Sequence, residues 1–170
     1  ALSIKLEDGG PIFYSQIRNG FEGKQFKIIK LRTMIINAEK DGIKWAEKSD
    51  VRITKTGRIL RKLRIDELPQ LLLVLSGEMS LIGPRPERPK IDMMLRENLP
   101  NYDLRYSIKP GISGWAQVNY PYGASIEDAK IKLSYDLFYI KNFSILLDFM
   151  IFFKTLKLVI NGKGASPIKK

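Results

Sequence analysis

The chain has 170 residues, of which 44% are hydrophobic and 28% charged, and its formal net charge is +11. It contains neither histidine nor cysteine, which excludes disulfides, thiol nucleophiles, histidine acid–base catalysis and a zinc site built from those residues. Such a basic surplus favours anionic partners: phosphorylated substrates, nucleic acid or an acidic membrane surface.

The first predicted elements are two strands that form a hairpin. Residues 11–17 and 25–33 are rich in β-branched and aromatic side chains, and the Asn-Gly and Glu-Gly pairs at 19–20 and 22–23 supply turn chemistry between them. A polar helix is predicted next, over residues 34–48.

The middle of the chain is predicted to hold three helices and one short strand. They are a basic helix that begins after Thr56-Gly57, a helix at 66–75 ended by Ser76-Gly77, a helix at 90–99 stopped by Pro100, and an apolar strand at 114–119. Pro69 is compatible with the first turn of a helix at 66–75. The backbone N–H groups of a first turn have no partner within the helix, so a proline there loses no hydrogen bond. A Gly- and Pro-rich connection at 83–89 separates two of these helices.

Two helices are predicted for the C-terminal part. Ser125 resembles an N-cap with acidic residues in the first turn, and its helix is expected to run to Asn142. Residues 143–160 are apolar but carry one aspartate and two lysines, which predicts an amphipathic helix rather than a transmembrane one. Its apolar face would comprise Ile145, Phe149, Phe152 and Leu156, with Phe153 beside them. Two interpretations of that face remain open, packing in the core or contact with a membrane interface.

The elements together predict an α+β fold: one helix-rich domain over residues 1–170, with a small β-hairpin or sheet and amphipathic helices. The first residues lack the long apolar core of a signal peptide. They also lack an initiator Met, so we expect a fragment of a longer protein.

The residues with the clearest chemistry are Asp66 and Glu67, which follow a basic run at a predicted helix start. A helix N-terminus and nearby arginines favour phosphate binding. A carboxylate placed there must attack phosphorus or hold a cation, and Mg²⁺ suits carboxylate and phosphate oxygens. Because neighbouring helix positions diverge by about 100°, the two carboxylates would not form a glycosidase pair. The alternative is a helix cap with a dipole-stabilising glutamate.

Arginines surround this pair in the sequence. Arg58, Arg61 and Arg64 recur at every third position, and we expect at least one to face the same site; the alternative is a solvated basic face. Arg85 lies between two prolines that stiffen its backbone, which suits bidentate phosphate binding, although an ordinary proline-rich turn is the alternative.

Several long motifs resemble one known family. They are FKIIKLRTM at 26–34, LRKLRIDELPQ at 60–70, GEMSLIGPRP at 77–86 and KPGISGWAQVN at 109–119. They are similar to those of the bacterial sugar transferases, the monotopic polyprenyl-phosphate phosphoglycosyl transferases, over nearly the whole chain. The segments YPYGAS at 120–125 and YDLFYIKN at 135–142 resemble the exopolysaccharide-priming branch.

The resemblance implies a two-step transfer. Asp66 would attack the β-phosphorus of a UDP-sugar and expel UMP, and polyprenyl (undecaprenyl) phosphate would then take the phosphosugar from the aspartyl intermediate. Glu67 would ligate Mg²⁺, while Arg61 and Arg85 would hold phosphate oxygens. Asp136 resembles another acidic family position and would assist the metal or the substrate, with an ordinary surface charge as the alternative.

The resemblance also implies a location. Members of this family carry an N-terminal re-entrant membrane helix just before the segment that opens this chain, so the chain is expected to be the catalytic part of a longer membrane protein. The expected place is an anionic membrane surface at the cytoplasmic face of the bacterial inner membrane. Two rival hypotheses are a nucleic-acid-binding module, motivated by the charge, and a membrane-surface adaptor without catalysis.

Overall fold

The computed structural model describes residues 1–40, 42, 50–120 and 125–162. Within them the strands are β1 (Phe13–Asn19), β2 (Gln25–Leu31), β3 (Ser80–Ile82) and β4 (Gly111–Ser113). The α-helices are α1 (Leu2–Asp8), α2 (Lys55–Lys62), α3 (Leu71–Leu75), α4 (Pro89–Asn98), α5 (Trp115–Asn119), α6 (Ile126–Asn142) and α7 (Ile145–Ile160). Short 3₁₀ helices lie at Phe21–Gly23, Ile65–Gln70 and Tyr102–Ser107. Helices and small sheets together confirm the α+β class.

The predicted hairpin is confirmed, because β1 and β2 pair antiparallel with Tyr14 opposite Lys30. Its turn contains Glu22 and Gly23, both in the left-handed region with φ of 55° and 71°. Side chains alternate across a strand, so Lys30 lies on the same face of β2 as the buried Ile28. This face of the hairpin is directed toward the 3₁₀ helix Ile65–Gln70.

The helix predicted for residues 34–48 is wrong over the part that the structure describes. Met34 forms an isolated antiparallel bridge with Ile53, and the Ile35 N–H donates to the Arg52 carbonyl. Turns follow, and Asn37 has a φ of 63°. Pairing with a distant segment has therefore replaced the local helical hydrogen bonds. Residues 41 and 43–49 of this prediction lie outside the described residues.

The basic helix α2 begins at Lys55, so it includes the Thr56-Gly57 pair that was predicted to precede it. The Thr54 side chain accepts from the Gly57 N–H at 2.9 Å, which caps the helix. Gly57 lies against the backbone just after β2, and a Cβ there would be 2.1 Å from the Thr33 carbonyl oxygen. Only glycine allows this close approach, which fixes α2 beside the hairpin.

The helix predicted at 66–75 is divided, and Asp66 is not its cap. A 3₁₀ helix covers Ile65–Gln70 and leads into α3, with Arg64 as the residue before its first turn at a φ of 54°. Because Arg64 interrupts the helical backbone there, Asp66 and Glu67 both fall inside the first 3₁₀ turn. The predicted end at Ser76 is confirmed.

The strand predicted at 114–119 is also wrong. The strand is β4, which pairs parallel to β3 with Ser80 opposite Gly111, and residues 115–119 form α5. Trp115 and Val118, three residues apart, pack against one hydrophobic cluster, a spacing typical of a helix. A short apolar run does not distinguish these two structures.

The two C-terminal helices are confirmed. Ser125 and Asp128 form a capping box at the start of α6, which ends at Asn142. In α7 Leu147 and Ile151 are buried, whereas the predicted apolar face is 40–77% exposed, so the interpretation that this face packs in the core is wrong. None of the described helices is long and apolar enough to cross a bilayer. Residues 121–124, within the quoted segment 120–125, lie outside the described part of the chain.

Three hydrophobic clusters hold these elements together. One, composed of Ile28, Leu73 and Met79, lies beneath the hairpin and α3. A second joins Tyr139 of α6 to Leu147 and Ile151 of α7. The third packs α4 and α6 against the 3₁₀ helix Tyr102–Ser107. The first cluster supports the segment that carries Asp66 and Glu67.

Candidate active site

Glu67 lies at the centre of a buried ion-pair network. Its Oε1 accepts from Lys30 Nζ at 2.7 Å and from Arg85 Nη2 at 2.6 Å, and its Oε2 accepts from Arg64 Nη1 at 3.4 Å. Burial alone would raise the pKa of Glu67, but the charges of Arg85, Lys30 and Arg64 hold that pKa well below its ordinary value. Glu67 is therefore ionised throughout the physiological range.

Asp66 is in a different environment, although only 7% of it is exposed. It accepts no hydrogen bond from the described residues, and it lines an open cleft of about 770 Å³. Burial raises the pKa of the Asp66 carboxyl, and the neighbouring Glu67 charge raises it further. Lys30, Arg61 and Arg85 oppose that shift. The result is a carboxylate without a tight partner, facing a cleft in which basic side chains outnumber acidic ones.

The cleft walls are strongly basic. Cationic residues along them are Arg18, Lys30, Arg32, Lys40, Arg52, Arg61 and Arg88, interspersed with apolar and aromatic side chains such as Phe13 and Tyr14. A cleft of this size and charge suits a bulky phosphorylated ligand.

The predicted arginines are placed differently from one another. Arg61 lines the cleft with Asp66, Arg64 bonds to Glu67, and Arg58 is exposed to solvent. Arg85 reaches Glu67 from the proline-rich segment, with 38% of its side chain exposed. Three of the four basic residues are therefore next to the carboxylate pair.

Asp136 is not brought to the carboxylate pair. It lies on α6, does not line the cleft, and accepts from Arg105 Nη2 at 3.0 Å. Burial raises the pKa of Asp136 to about 6, with Arg105 opposing the shift. Its connection to the site is indirect, since the same Arg105 nitrogen donates to the Arg85 carbonyl at 2.6 Å.

Sequence reasoning missed Lys30 and Arg105. Lys30 carried a usable signal, because alternation from Phe26 and Ile28 places it on the inward face of β2, where a charge requires a partner. Burial lowers the pKa of Lys30 to about 8, with the Glu67 charge opposing the shift. Arg105 carried no such signal, because its acceptors on Arg85 and Asp136 are distant in sequence.

Glu67 can supply one protein ligand for a cation. The described residues contain no group of three acidic side chains that could hold a metal. Glu67 is ionised, and its Oε2 receives one long hydrogen bond from the residues described here, so a lone pair remains for a hard cation. Mg²⁺ is commonly held by one or two carboxylates together with substrate phosphates. The site fits an ion that arrives with a diphosphate.

Comparison with known proteins identifies a family. The family model described as bacterial sugar transferase matches residues 1–162. An Aeromonas hydrophila protein named UDP-N-acetylgalactosamine-undecaprenyl-phosphate N-acetylgalactosaminephosphotransferase is 49% identical to this chain. The alignment covers 97% of this chain and 39% of the Aeromonas protein. An undecaprenyl-phosphate glucose phosphotransferase of Komagataeibacter xylinus is 41% identical, over 97% of this chain and 32% of the relative. The uncharacterized sugar transferase EpsL of Bacillus subtilis is 42% identical, with coverages of 95% and 76%. The chain thus spans only about a third to two fifths of the length of the first two relatives.

Proposed function

The chain belongs to the bacterial sugar transferase family, and from this premise we propose that it transfers a sugar phosphate from a UDP-sugar to undecaprenyl phosphate. The observation that carries the proposal is the arrangement of the carboxylate pair. Asp66 faces a basic cleft without a tight partner, while Glu67 is held behind it by Lys30, Arg64 and Arg85. A nucleophile for phosphorus needs this combination of access and compensating charge.

In the first step an Asp66 carboxylate oxygen attacks the β-phosphorus of the UDP-sugar. A bond forms between that oxygen and phosphorus, the bond from phosphorus to the bridging oxygen breaks, and UMP leaves with the bridging oxygen. The product is a phosphosugar joined to Asp66. The raised pKa makes the carboxylate a stronger nucleophile than an ordinary aspartate once it is ionised.

In the second step an oxygen of undecaprenyl phosphate attacks the same phosphorus. Its bond forms as the bond to the Asp66 oxygen breaks, which regenerates the carboxylate and yields undecaprenyl diphosphate sugar. No proton transfer by a histidine is required in either step, which agrees with a chain that contains none.

Positive charge for the phosphate oxygens comes from three sources. Arg61 lines the cleft beside Asp66, and Arg85 is held at 2.6 Å from Glu67, from where its exposed part can reach a phosphate. Mg²⁺ is the third source in this proposal, with Glu67 as its protein ligand and the substrate diphosphate supplying further oxygens. When bound, the ion would neutralise charge on the diphosphate.

The nucleic-acid module and the non-catalytic adaptor are not favoured by these comparisons. The relatives are named for undecaprenyl-phosphate sugar phosphotransferases. The relative named for N-acetylgalactosamine is 49% identical and the one named for glucose 41%, so we propose UDP-N-acetylgalactosamine as the first donor to test. Priming of an exopolysaccharide is the proposed role of the product.

A membrane surface is the proposed location, at the cytoplasmic face where UDP-sugars are available. The exposed apolar face of α7 supports contact with lipid, and the net charge of +11 supports attraction to anionic headgroups.

The proposal is tested by UMP release over a panel of UDP-sugars. The chain is assayed with Mg²⁺ and undecaprenyl phosphate in nanodiscs, and the same panel is repeated without the lipid. We expect turnover with lipid and a burst of up to one UMP per chain without it. Absence of UMP release with every donor would contradict the function, and equal steady turnover with and without lipid would contradict the acceptor.

A further inference from the structure

Arg105 is a buried arginine outside the cleft that the proposed chemistry does not use. It lies in the 3₁₀ helix Tyr102–Ser107 and is 7% exposed. Its Nη1 donates to the Tyr102 hydroxyl at 2.6 Å, and its Nη2 donates to Asp136 Oδ2 at 3.0 Å and to the Arg85 carbonyl at 2.6 Å. One guanidinium thus joins α6 and its own helix to the segment that displays Arg85.

The proline-rich segment is fixed through three successive carbonyl groups. The Gly111 N–H donates to the Pro84 carbonyl at 2.9 Å, Arg105 donates to that of Arg85, and Arg18 Nη1 donates to that of Pro86 at 3.1 Å. Pro84 and Pro86 have fixed φ angles and no N–H. The orientation of the Arg85 backbone therefore depends on these carbonyl contacts, and Arg105 supplies the one on Arg85 itself.

The side chain of Arg85 then connects this backbone to the carboxylate pair. Its Nη2 donates to Glu67 Oε1 at 2.6 Å. A change in the Arg85 carbonyl position would move the guanidinium relative to Glu67 and to any phosphate bound there. Small misplacements of a charged group in a site have large effects on binding and rate.

We propose that Arg105 is a positioning residue that holds Arg85 for diphosphate recognition, and that Asp136 acts through Arg105 rather than by contact with metal or substrate. This inference rests on the proposed function for its ligand. Asp136 and Tyr102 orient the guanidinium, Arg105 holds the Arg85 carbonyl, and Arg85 contacts the phosphate. Lysine cannot reproduce the role, since one ammonium on a flexible stem lacks the planar fork that serves three acceptors.

A double-mutant cycle with Arg85 tests the inference. Arg105→Lys, Arg85→Ala and the double variant are compared for binding of inorganic pyrophosphate by calorimetry and for KM and kcat of UMP release. In the parent chain, we expect Arg105→Lys to weaken pyrophosphate binding and to raise the KM, each by about tenfold. In the Arg85→Ala background, the same substitution should change the affinity and the KM by less than about twofold. Arg96→Lys is the matched control: Arg96 pairs with Asp92 and Asp103, away from Glu67, and should leave both quantities unchanged.

Different results separate the alternatives. Equal losses in both backgrounds would show that Arg105 is merely structural, and would overturn the inference. If Asp136→Asn raises the Mg²⁺ concentration for half-maximal UMP release even in the Arg85→Ala background, Asp136 is a metal ligand and its assignment here is wrong. If Arg105→Lys does not fold, Tyr102→Phe removes one acceptor of Arg105 and goes through the same cycle. Pyrophosphate binding decides the inference even if no UDP-sugar releases UMP, which would contradict the proposed function alone.

Discussion

Adjacent residues acquire opposite properties in this site because their surroundings differ. Lys30, Arg64 and Arg85 bond to Glu67 and hold its pKa well below the ordinary value. Burial and the charge of Glu67 raise the pKa of Asp66, which faces the cleft. Titratable pairs whose environments separate their pKa values commonly divide the chemical roles between them. The proposed division is a nucleophile at Asp66 and a permanent anion at Glu67.

Lys30 should give the reaction an alkaline limit. Burial lowers the pKa of Lys30 to about 8, so its positive charge is present below that pH and lost as the pH rises through it. The carboxylate pair then lacks one compensating charge, and diphosphate binding becomes weaker. We expect the KM for the UDP-sugar to rise by about tenfold between pH 7 and pH 9.5, measured from initial rates of UMP release.

Lys30→Arg is the control for this prediction, because an arginine stays charged over that range. The variant should lose the alkaline rise in KM even if its absolute rate is lower. The same rise in the arginine variant would show that another group titrates, and a flat profile in the parent chain would contradict the role of Lys30.

Among the elements, the contact between α2 and the backbone just after β2 places the helix that carries Arg61. A Cβ on Gly57 would be 2.1 Å from the Thr33 carbonyl oxygen. The helix backbone at Gly57 and the backbone at Thr33 cannot easily move apart to make room for a methyl group. We therefore expect Gly57→Ala to lower the free energy of unfolding by about 1–3 kcal/mol, measured by urea denaturation.

Arg58→Ala on the same helix is the matched control, since Arg58 is exposed and should change stability by less than about 0.5 kcal/mol. If Gly57→Ala is as stable as the control variant, α2 does not approach the Thr33 backbone so closely.

Elements determined by local chemistry were predictable from the sequence. The hairpin follows from its turn residues, and α6 follows from the capping box of Ser125 and Asp128. The predictions for residues 34–40 and 114–119 were wrong. Pairing with a distant segment decided the structure of the first, and the second is a short apolar run whose periodicity does not distinguish a strand from a helix. Local propensity does not contain either piece of information.

The candidate site shows the same division. Asp66 and Glu67 were predicted from their place at a helix start after a basic run, and Arg85 from the prolines on either side of it. The bond from Lys30 to Glu67 spans 37 residues, and that from Arg105 to Asp136 spans 31. Such pairings depend on how β2, α6 and the 3₁₀ helices are brought together, so sequence spacing could not supply them.

Across the whole molecule, basic charge and an apolar surface occupy different places. Seven cationic side chains of the described residues line the cleft next to Asp66, while α7 presents exposed aromatic residues. Both features agree with the proposed function, in which the chain holds a charged nucleotide sugar while it contacts lipid.

Phe149 and Phe153 should contribute to membrane binding without contributing to stability. They are 56% and 63% exposed and lie four residues apart on α7. We expect the double variant with serine at both positions to bind anionic vesicles at least about tenfold more weakly in a sedimentation assay, with little change in the thermal midpoint.

Met93→Ser, on the exposed part of α4, is the control for loss of a surface hydrophobe elsewhere, and it should bind vesicles like the parent chain. If the double serine variant binds anionic vesicles as tightly as the parent chain does, a membrane role for α7 is contradicted.

The proposed function depends above all on a covalent bond between Asp66 and the phosphosugar, which mass spectrometry of the intact chain and of its peptides detects. The chain is incubated with Mg²⁺ and the UDP-sugar that releases most UMP, without undecaprenyl phosphate, and is then digested and mapped. We expect one added phosphosugar on the peptide that contains Asp66, and neither an adduct nor UMP release with Asp66→Asn. An adduct on another residue, or undiminished UMP release by Asp66→Asn, would contradict the proposed covalent bond.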